Sequence, residues 1–265
     1  MTTWDSRWFR RYHRGAADGP VLVCFPHAGG SAPTFRALSQ ALAPRIPVLA
    51  VQYPGRQDRI VERPLRDVRA LARAIADALQ RGPAVPTVYF GHSMGALVAY
   101  EVAALLELRP PRGLIVSSRP VPDRNRDHGV HRMADRDLMA QLVGLAGTDP
   151  AVLADPELMD SVLPAIRADF EAVETYQATP GSRLRCPIAA YGSDGDHRVS
   201  YRDVREWQEH TTSEFSSRLF PGGHFYTQQY VTELAAAIET DVARFGADSY
   251  AATDGSDPHP ARRSA

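Results

Sequence analysis

The chain has 265 residues, enough for one sizeable α/β domain with its own core. Its 30 basic residues, all arginine, face 31 acidic ones, and a formal charge of −1 argues against an electrostatic binder of nucleic acid or membrane surface. No apolar run is long enough for a transmembrane helix and the first residues carry no signal core, which predicts a cytoplasmic protein. The two cysteines, Cys24 and Cys186, lie far apart in or beside apolar runs and are expected to be buried reduced thiols rather than a disulfide.

Residues 1–19 are basic and aromatic, and Trp8, Phe9 and Tyr12 suit an edge strand, although the sequence does not decide it. Val21 to Phe25 is apolar throughout, the pattern of a strand buried on both faces of a parallel sheet. It runs into the Gly-rich loop Pro26-His27-Ala28-Gly29-Gly30, then a helix carrying Phe35, Leu38, Ala41 and Leu42. Ile46 to Val51 is the next strand, followed by Tyr53-Pro54-Gly55-Arg56. Leu65 to Leu79 sets Leu65, Val68, Leu71, Ala72, Ile75 and Leu79 on one helical face. A strand at Val88 to Phe90, a helix and the strand Leu114-Ile115-Val116 complete right-handed βαβ units.

From Arg119 to about Arg185 the strands stop. An Arg- and Asp-rich loop leads into helical stripes at Leu138, Leu142 and Leu145 and again from Leu158 to Val173, so a helical cap over the strand ends is expected at about 120–183. The sheet resumes at Pro187 to Tyr191, a helix follows from Tyr201 to about His210, a strand from Phe215 to Phe220, and a last helix from Val231 to Phe245. One domain over 1–245 and a disordered polar tail over 246–265 are the expected organisation.

The informative stretch is Gly91-His92-Ser93-Met94-Gly95 between a strand and an Ala/Leu/Val-rich helix. Gly-x-Ser-x-Gly in that context is a nucleophile elbow, whose glycines admit a turn too crowded for side chains. Ser93 is therefore the candidate nucleophile, at a helix N-terminus that favours developing negative charge. His224, in the loop Pro221-Gly222-Gly223-His224-Phe225 after the last strand, is the candidate base. The acid belongs after a sheet strand, where Asp194 and Asp196 both qualify and one is a turn carboxylate. Oxyanion donors are expected at the N–H groups of Met94 and, in the first Gly-rich loop, Ala28. His27 and His92 flank these motifs as packing residues, and His128 with His131 makes a poor metal pair without clustered cysteines or a structured helix.

Taken together, Cys24-Phe25-Pro26-His27-Ala28-Gly29-Gly30, Tyr53-Pro54-Gly55-Arg56 with Arg59, the elbow, Ile166-Arg167-Ala168-Asp169-Phe170, Glu174, Tyr176 and Gly222-Gly223-His224-Phe225 resemble one family. It is that of the stand-alone type II thioesterases of polyketide and nonribosomal peptide synthesis, and the likeness covers most of 4–245. The resemblance implies an α/β-hydrolase fold with a lid insertion, selects Asp196 over Asp194, and agrees on Ala28 and Met94 as donors. It implies no metal or organic cofactor. Its substrate would be an acyl group on the phosphopantetheine arm of an acyl or peptidyl carrier protein, cleared to edit misprimed or stalled synthases. Two departures lie near strand ends: Ser117-Ser118-Arg119 where the family commonly has Ser-Gly-Arg, and Tyr53 where Leu is usual.

A stand-alone carboxylesterase acting on small soluble esters would use the same three residues without a carrier. A chain-terminating synthase domain is disfavoured by the absence of an upstream carrier segment. An inactive hydrolase fold serving as a binding module is disfavoured because Ser93, Asp196 and His224 are all present.

Overall fold

The run Val21 to Phe25 is apolar at every position because both faces of its strand are covered. The computed structural model describes residues 3–16, 18–125, 127–144 and 156–251. It places Val21, Val23 and Phe25 in one core and Leu22 and Cys24 in the other. Successive strand side chains point to opposite faces, so an unbroken apolar run needs a layer on each side.

Among the described residues the strands are β1 (Phe9–Arg10), β2 (Val21–Phe25), β3 (Val48–Val51), β4 (Thr87–His92), β5 (Gly113–Ser117), β6 (Ile188–Ser193) and β7 (Phe215–Phe220). They form one sheet in the order β1-β3-β2-β4-β5-β6-β7. Every neighbouring pair is parallel except β1 with β3. The helices are α1 (Arg36–Leu42), α2 (Val68–Arg81), α3 (Met94–Leu105), α4 (Asp135–Gly144), α5 (Pro156–Glu174), α6 (Tyr201–Glu206), α7 (Tyr226–Gln229) and α8 (Val231–Ala251). Leu38 and Leu42 of α1 join Leu234, Ile238 and Val242 of α8 over one face of the sheet. Leu71 and Ile75 of α2 join Leu97 and Val102 of α3 over the other. α3 is buried on nearly every side, as its apolar composition requires.

The architecture is the expected α/β-hydrolase type. Several boundaries differ from expectation for local reasons. β3 begins at Val48 rather than Ile46, since Pro47 has no N–H to donate to a ladder. α2 begins at Val68 rather than Leu65, because the Asp67 carboxylate accepts the Ala70 N–H at 2.6 Å and caps it. The helix expected over 201–210 is α6 followed by a 3₁₀ turn at Trp207–His210. The last helix passes Phe245 and runs to Ala251, so only the 252–265 part of the expected tail lies outside the described residues. Trp8 and Phe9 do anchor an edge strand, antiparallel to β3. No described helix is long and apolar enough to cross a membrane. Cys24 and Cys186 are buried and free.

Between β5 and β6 the described chain is helical, and α5 carries an apolar cluster of its own. Leu138 of α4, Met159, Leu163, Ile166 and Phe170 of α5, and Val130 form it. The expected stripe through Leu145, and the side chain of Leu142, lie outside the described residues.

Two glycines, Gly113 at the start of β5 and Gly246 in α8, should respond oppositely to a methyl group. A Cβ on Gly113 would lie 2.2 Å from the Phe245 ring, so Gly113→Ala should cost about 1–3 kcal/mol by overpacking. Among the described residues, the nearest neighbour of a Cβ on Gly246, inside α8, would be Arg112 at 3.7 Å, so Gly246→Ala should gain up to about 1 kcal/mol from helix propensity. Thermal melts of the two variants should therefore shift in opposite directions.

Candidate active site

The parallel sheet brings the ends of β2, β4, β5, β6 and β7 to one rim, and the site is built there. Ser93 follows β4 with φ 54° and ψ −117°, a left-handed conformation that a non-glycine residue holds only when its surroundings enforce it. The enforcement is backbone contact. A Cβ on Gly91 would stand 2.3 Å from the Gly95 carbonyl oxygen, and one on Gly95 only 2.0 Å from that of Phe25. Those atoms cannot turn aside as a side chain can. The Gly-x-Ser-x-Gly spacing thus lets α3 start directly behind β4 and lifts Ser93 onto the rim.

His224 reaches Ser93 from the loop after β7. Its Nε2 is 3.1 Å from Ser93 Oγ, and its Nδ1 is 2.8 Å from Asp196 Oδ2. An ionised carboxylate only accepts, so Nδ1 carries the proton and Nε2 is left to accept from the serine hydroxyl. Burial pushes the Asp196 carboxyl up, but His224 and the Arg198 N–H, which donates to Asp196 Oδ1 at 2.9 Å, outweigh it and hold the group below its usual range. Asp194, the alternative by spacing, accepts the Gly222 N–H at 3.1 Å and braces the histidine loop. Gly195 N–H to Gly222 O at 2.9 Å and Ser193 Oγ to Gly223 O at 2.9 Å complete that brace.

Ala28 and Met94 face the same space. Both line one cavity of about 650 Å³ with Ser93 and His224, roofed by Val130, Met133, Phe170 and Val173 of the cap segment. Among the described residues no protein acceptor engages the N–H of Ala28 or of Met94. The cavity wall also holds Arg119 and Asn125, which sequence reasoning did not single out. Asn125 Nδ2 donates to the carbonyls of Val173 at 2.6 Å and Tyr176 at 2.9 Å and ties the loop after β5 to the end of α5. A lone asparagine in a polar loop carries no sequence signal for that task.

His27 and His92 are packing residues in geometry as well. The His27 Nδ1–H donates to the Ala28 carbonyl at 2.9 Å, and its ring packs 4.8 Å from that of Phe225. Burial pulls its pKa down to about 4. His92 Nδ1 lies 2.9 Å from Ser117 Oγ, which is 2.7 Å from the Tyr226 hydroxyl. Burial, with His224 and His27 close by, keeps His92 neutral.

Among the described residues His131, but not His128, belongs to a cluster of three ligand-type side chains. The cluster joins Asp127, His131 and Glu174. Glu174 accepts the N–H groups of His128, Val130 and His131 at 3.0 to 3.2 Å, and His131 Nδ1 at 2.5 Å. Burial alone would raise the Glu174 pKa, but these N–H donors lower it below the usual range. Arg132 donates to Asp127 at 2.7 Å and stands 3.3 Å from His131 Nε2, so a guanidinium already occupies the cationic position. The cluster orders the 128–131 segment along the cavity edge.

The departures from the family pattern are structural. Ser118 has φ 46°, a left-handed conformation that explains why glycine suits the position. Tyr53 is buried and donates its hydroxyl to the Pro26 carbonyl at 3.2 Å, supporting the loop that carries Ala28.

A serine on a nucleophile elbow, a histidine and a carboxylate in series, and a helical cap on a mostly parallel sheet define a serine hydrolase of the α/β-hydrolase class. Residues 20–242 match the family model for the thioesterase domain, and the chain belongs to that family. Among its relatives, thioesterase PikA5 of Streptomyces venezuelae is 44% identical over 87% of this chain and 84% of its own. The probable cadicidin biosynthesis thioesterase of Streptomyces griseus is 42% identical over 92% of this chain and 70% of its own. Among solved structures, the type II thioesterase BorB from the borrelidin biosynthetic cluster superposes with a TM-score of 0.84 at 43% identity, over 91% of this chain and 99% of its own.

The neutral buried His27 predicts an acid-sensitive fold. The unfolded chain takes up a proton there near pH 6.5 and the folded protein only near pH 4. Unfolding free energy should therefore fall as pH drops from about 6.5 to about 4, by at most about 3 kcal/mol from this side chain. Urea titrations at about pH 7 and about pH 4.5 should show that loss, and His27→Asn, which does not titrate, should show a smaller one.

Proposed function

We propose that this thioesterase hydrolyses acyl groups carried on the phosphopantetheine arm of an acyl or peptidyl carrier protein, with Ser93 as nucleophile, His224 as base and Asp196 as the orienting acid. The observation that carries the reading is the series Ser93 Oγ, His224 and Asp196, linked at 3.1 and 2.8 Å at the floor of the capped cavity. Ser93 Oγ attacks the thioester carbonyl while His224 Nε2 takes its proton. Asp196 holds the tautomer and stabilises the imidazolium. The N–H groups of Ala28 and Met94 receive the oxyanion, in a site where donors need no reorganisation as charge develops. The thiol departs with the proton from His224. Water then attacks the acyl-serine, gives its proton to His224, and frees the acid and Ser93.

The lining supports the substrate class. Val130, Met133, Phe170 and Val173 give the cavity an apolar wall for an acyl chain, while polar lining such as Arg119 suits an arm that contains amides. Relatives named for antibiotic biosynthesis support a role beside carrier-bearing synthases, where removing misprimed or stalled acyl groups is the task of a stand-alone enzyme.

Ser93→Ala should abolish turnover of an acyl-carrier thioester with the fold intact, and a serine-directed phosphonate should label the unmodified protein once, at Ser93. Asp196→Asn should lose on the order of 10³–10⁴ in kcat, and Asp194→Asn far less, since it only braces a loop. Higher kcat/KM on small free esters than on acyl-carriers would favour the carboxylesterase reading.

Chain-length selection should respond to the roof. Val173→Trp fills volume that only longer chains need, so turnover of long acyl-carriers should fall more than that of acetyl- or propionyl-carriers. Assays across graded acyl lengths read the difference directly.

A further inference from the structure

Asp169 and Arg56 take no part in the reaction, yet they meet where the cap touches the loop that carries Ala28. Asp169 lies on α5 and Arg56 in the loop after β3, and their side chains are 3% and 7% exposed. The guanidinium donates twice to the carboxylate, at 2.5 and 2.9 Å, and once to the Gly30 carbonyl at 3.2 Å. The same carboxylate accepts the Gly29 N–H at 2.7 Å. Ile166, one turn earlier on α5, packs against Gly29, where an added Cβ would be 3.2 Å away.

The consequence is local and geometric. The peptide between Ala28 and Gly29 is held at both ends, its carbonyl by His27 Nδ1 at 2.9 Å and its N–H by Asp169. Holding that peptide restrains Ala28, which lines the cavity, and so the direction of its own N–H, the donor of the proposed mechanism. Without the restraint the segment is free to turn, because Gly29, at φ 75°, and Gly30 follow without side chains. A buried charge pair is also a costly way merely to attach a helix, since apolar packing of similar volume does that as well or better.

We infer that Asp169, held by Arg56, is a positioning residue for the oxyanion loop, so that docking of α5 on that loop is a condition of hydrolysis. This rests on the reading of Ala28 as an oxyanion donor. The cap then does more than roof the acyl chamber: it completes the site that stabilises the tetrahedral intermediate.

The test uses the full chain with an acyl-carrier substrate, active sites counted by phosphonate labelling of Ser93, and an alkyl boronic acid as the tetrahedral analogue. Asp169→Ala should lower kcat per labelled serine by about 10- to 100-fold, the scale of a misplaced donor, with KM within about threefold. The boronic acid should bind more weakly by a similar factor. A purely structural role would lower the count of active serines and the melting temperature but leave kcat per site and boronate affinity unchanged. Asp169→Asn, which keeps an acceptor for Gly29 N–H, should recover part of the loss. If Asp169→Ala does not fold, the double variant Arg56→Met/Asp169→Leu removes both charges and keeps apolar packing, and the same loss is expected of it. Kcat per site and boronate affinity at the unmodified level in either folded variant overturn the coupling. Failure of the unmodified protein to label at Ser93 overturns the serine mechanism itself, and this inference with it.

Discussion

The approach of the α3 backbone to the end of β2 sets the rest of the molecule. At Gly95 there is no room for even a methyl group before the Phe25 carbonyl, so the helix begins immediately behind the strand. That closeness forces Ser93 into its left-handed conformation and makes the serine protrude. It also brings the loop after β2 beside Ser93, which is why Ala28 and Met94 line the same cavity although they are far apart in the chain. A strain of this kind persists only when the surroundings are rigid, and α3, buried among both sheet and helices, supplies that rigidity.

The loops around the site are held by hydrogen bonds from neighbouring side chains and backbone. The histidine loop is braced by Asp194, Ser193 and Gly195, and the Ala28 loop by Tyr53, His27, Arg56 and Asp169. Burial keeps His27 and His92 neutral beside His224, the imidazole that stands against the ionised Asp196 carboxylate. The same burial makes the fold sensitive to acid, because it disfavours the charged form of both histidines in the folded state.

The cap joins these two themes. Its apolar cluster, from Val130 and Leu138 to Phe170, holds α4 and α5 together, while Phe170 and Val173 turn toward the cavity. One helix therefore carries cavity wall, cap core and, through Asp169, a contact to the loop that holds Ala28. Glu174 and Asn125 tie the intervening loop to the same helix. The cavity wall and the loop that carries Ala28 are thus both in contact with α5.

Much of this was legible in the residue pattern alone. The unbroken apolar run made Val21 to Phe25 a central strand, and the strand–Gly-x-Ser-x-Gly–helix order put Ser93 at the elbow, because both are written in a few consecutive residues. The ends of elements were less legible, since Pro47, the Asp67 cap and the continuation of α8 to Ala251 turn on single bonds or on packing at a terminus. Residue spacing left Asp194 and Asp196 equivalent; the fold separates them, sending one to Gly222 and the other to His224. The pairing of Arg56 with Asp169 was invisible as a contact, because 113 residues separate the partners and only the closure of the cap on the sheet brings them together. Local backbone sterics and apolar periodicity are written in consecutive residues. Which distant polar groups share a buried space is decided only when the sheet order and the cap are in place.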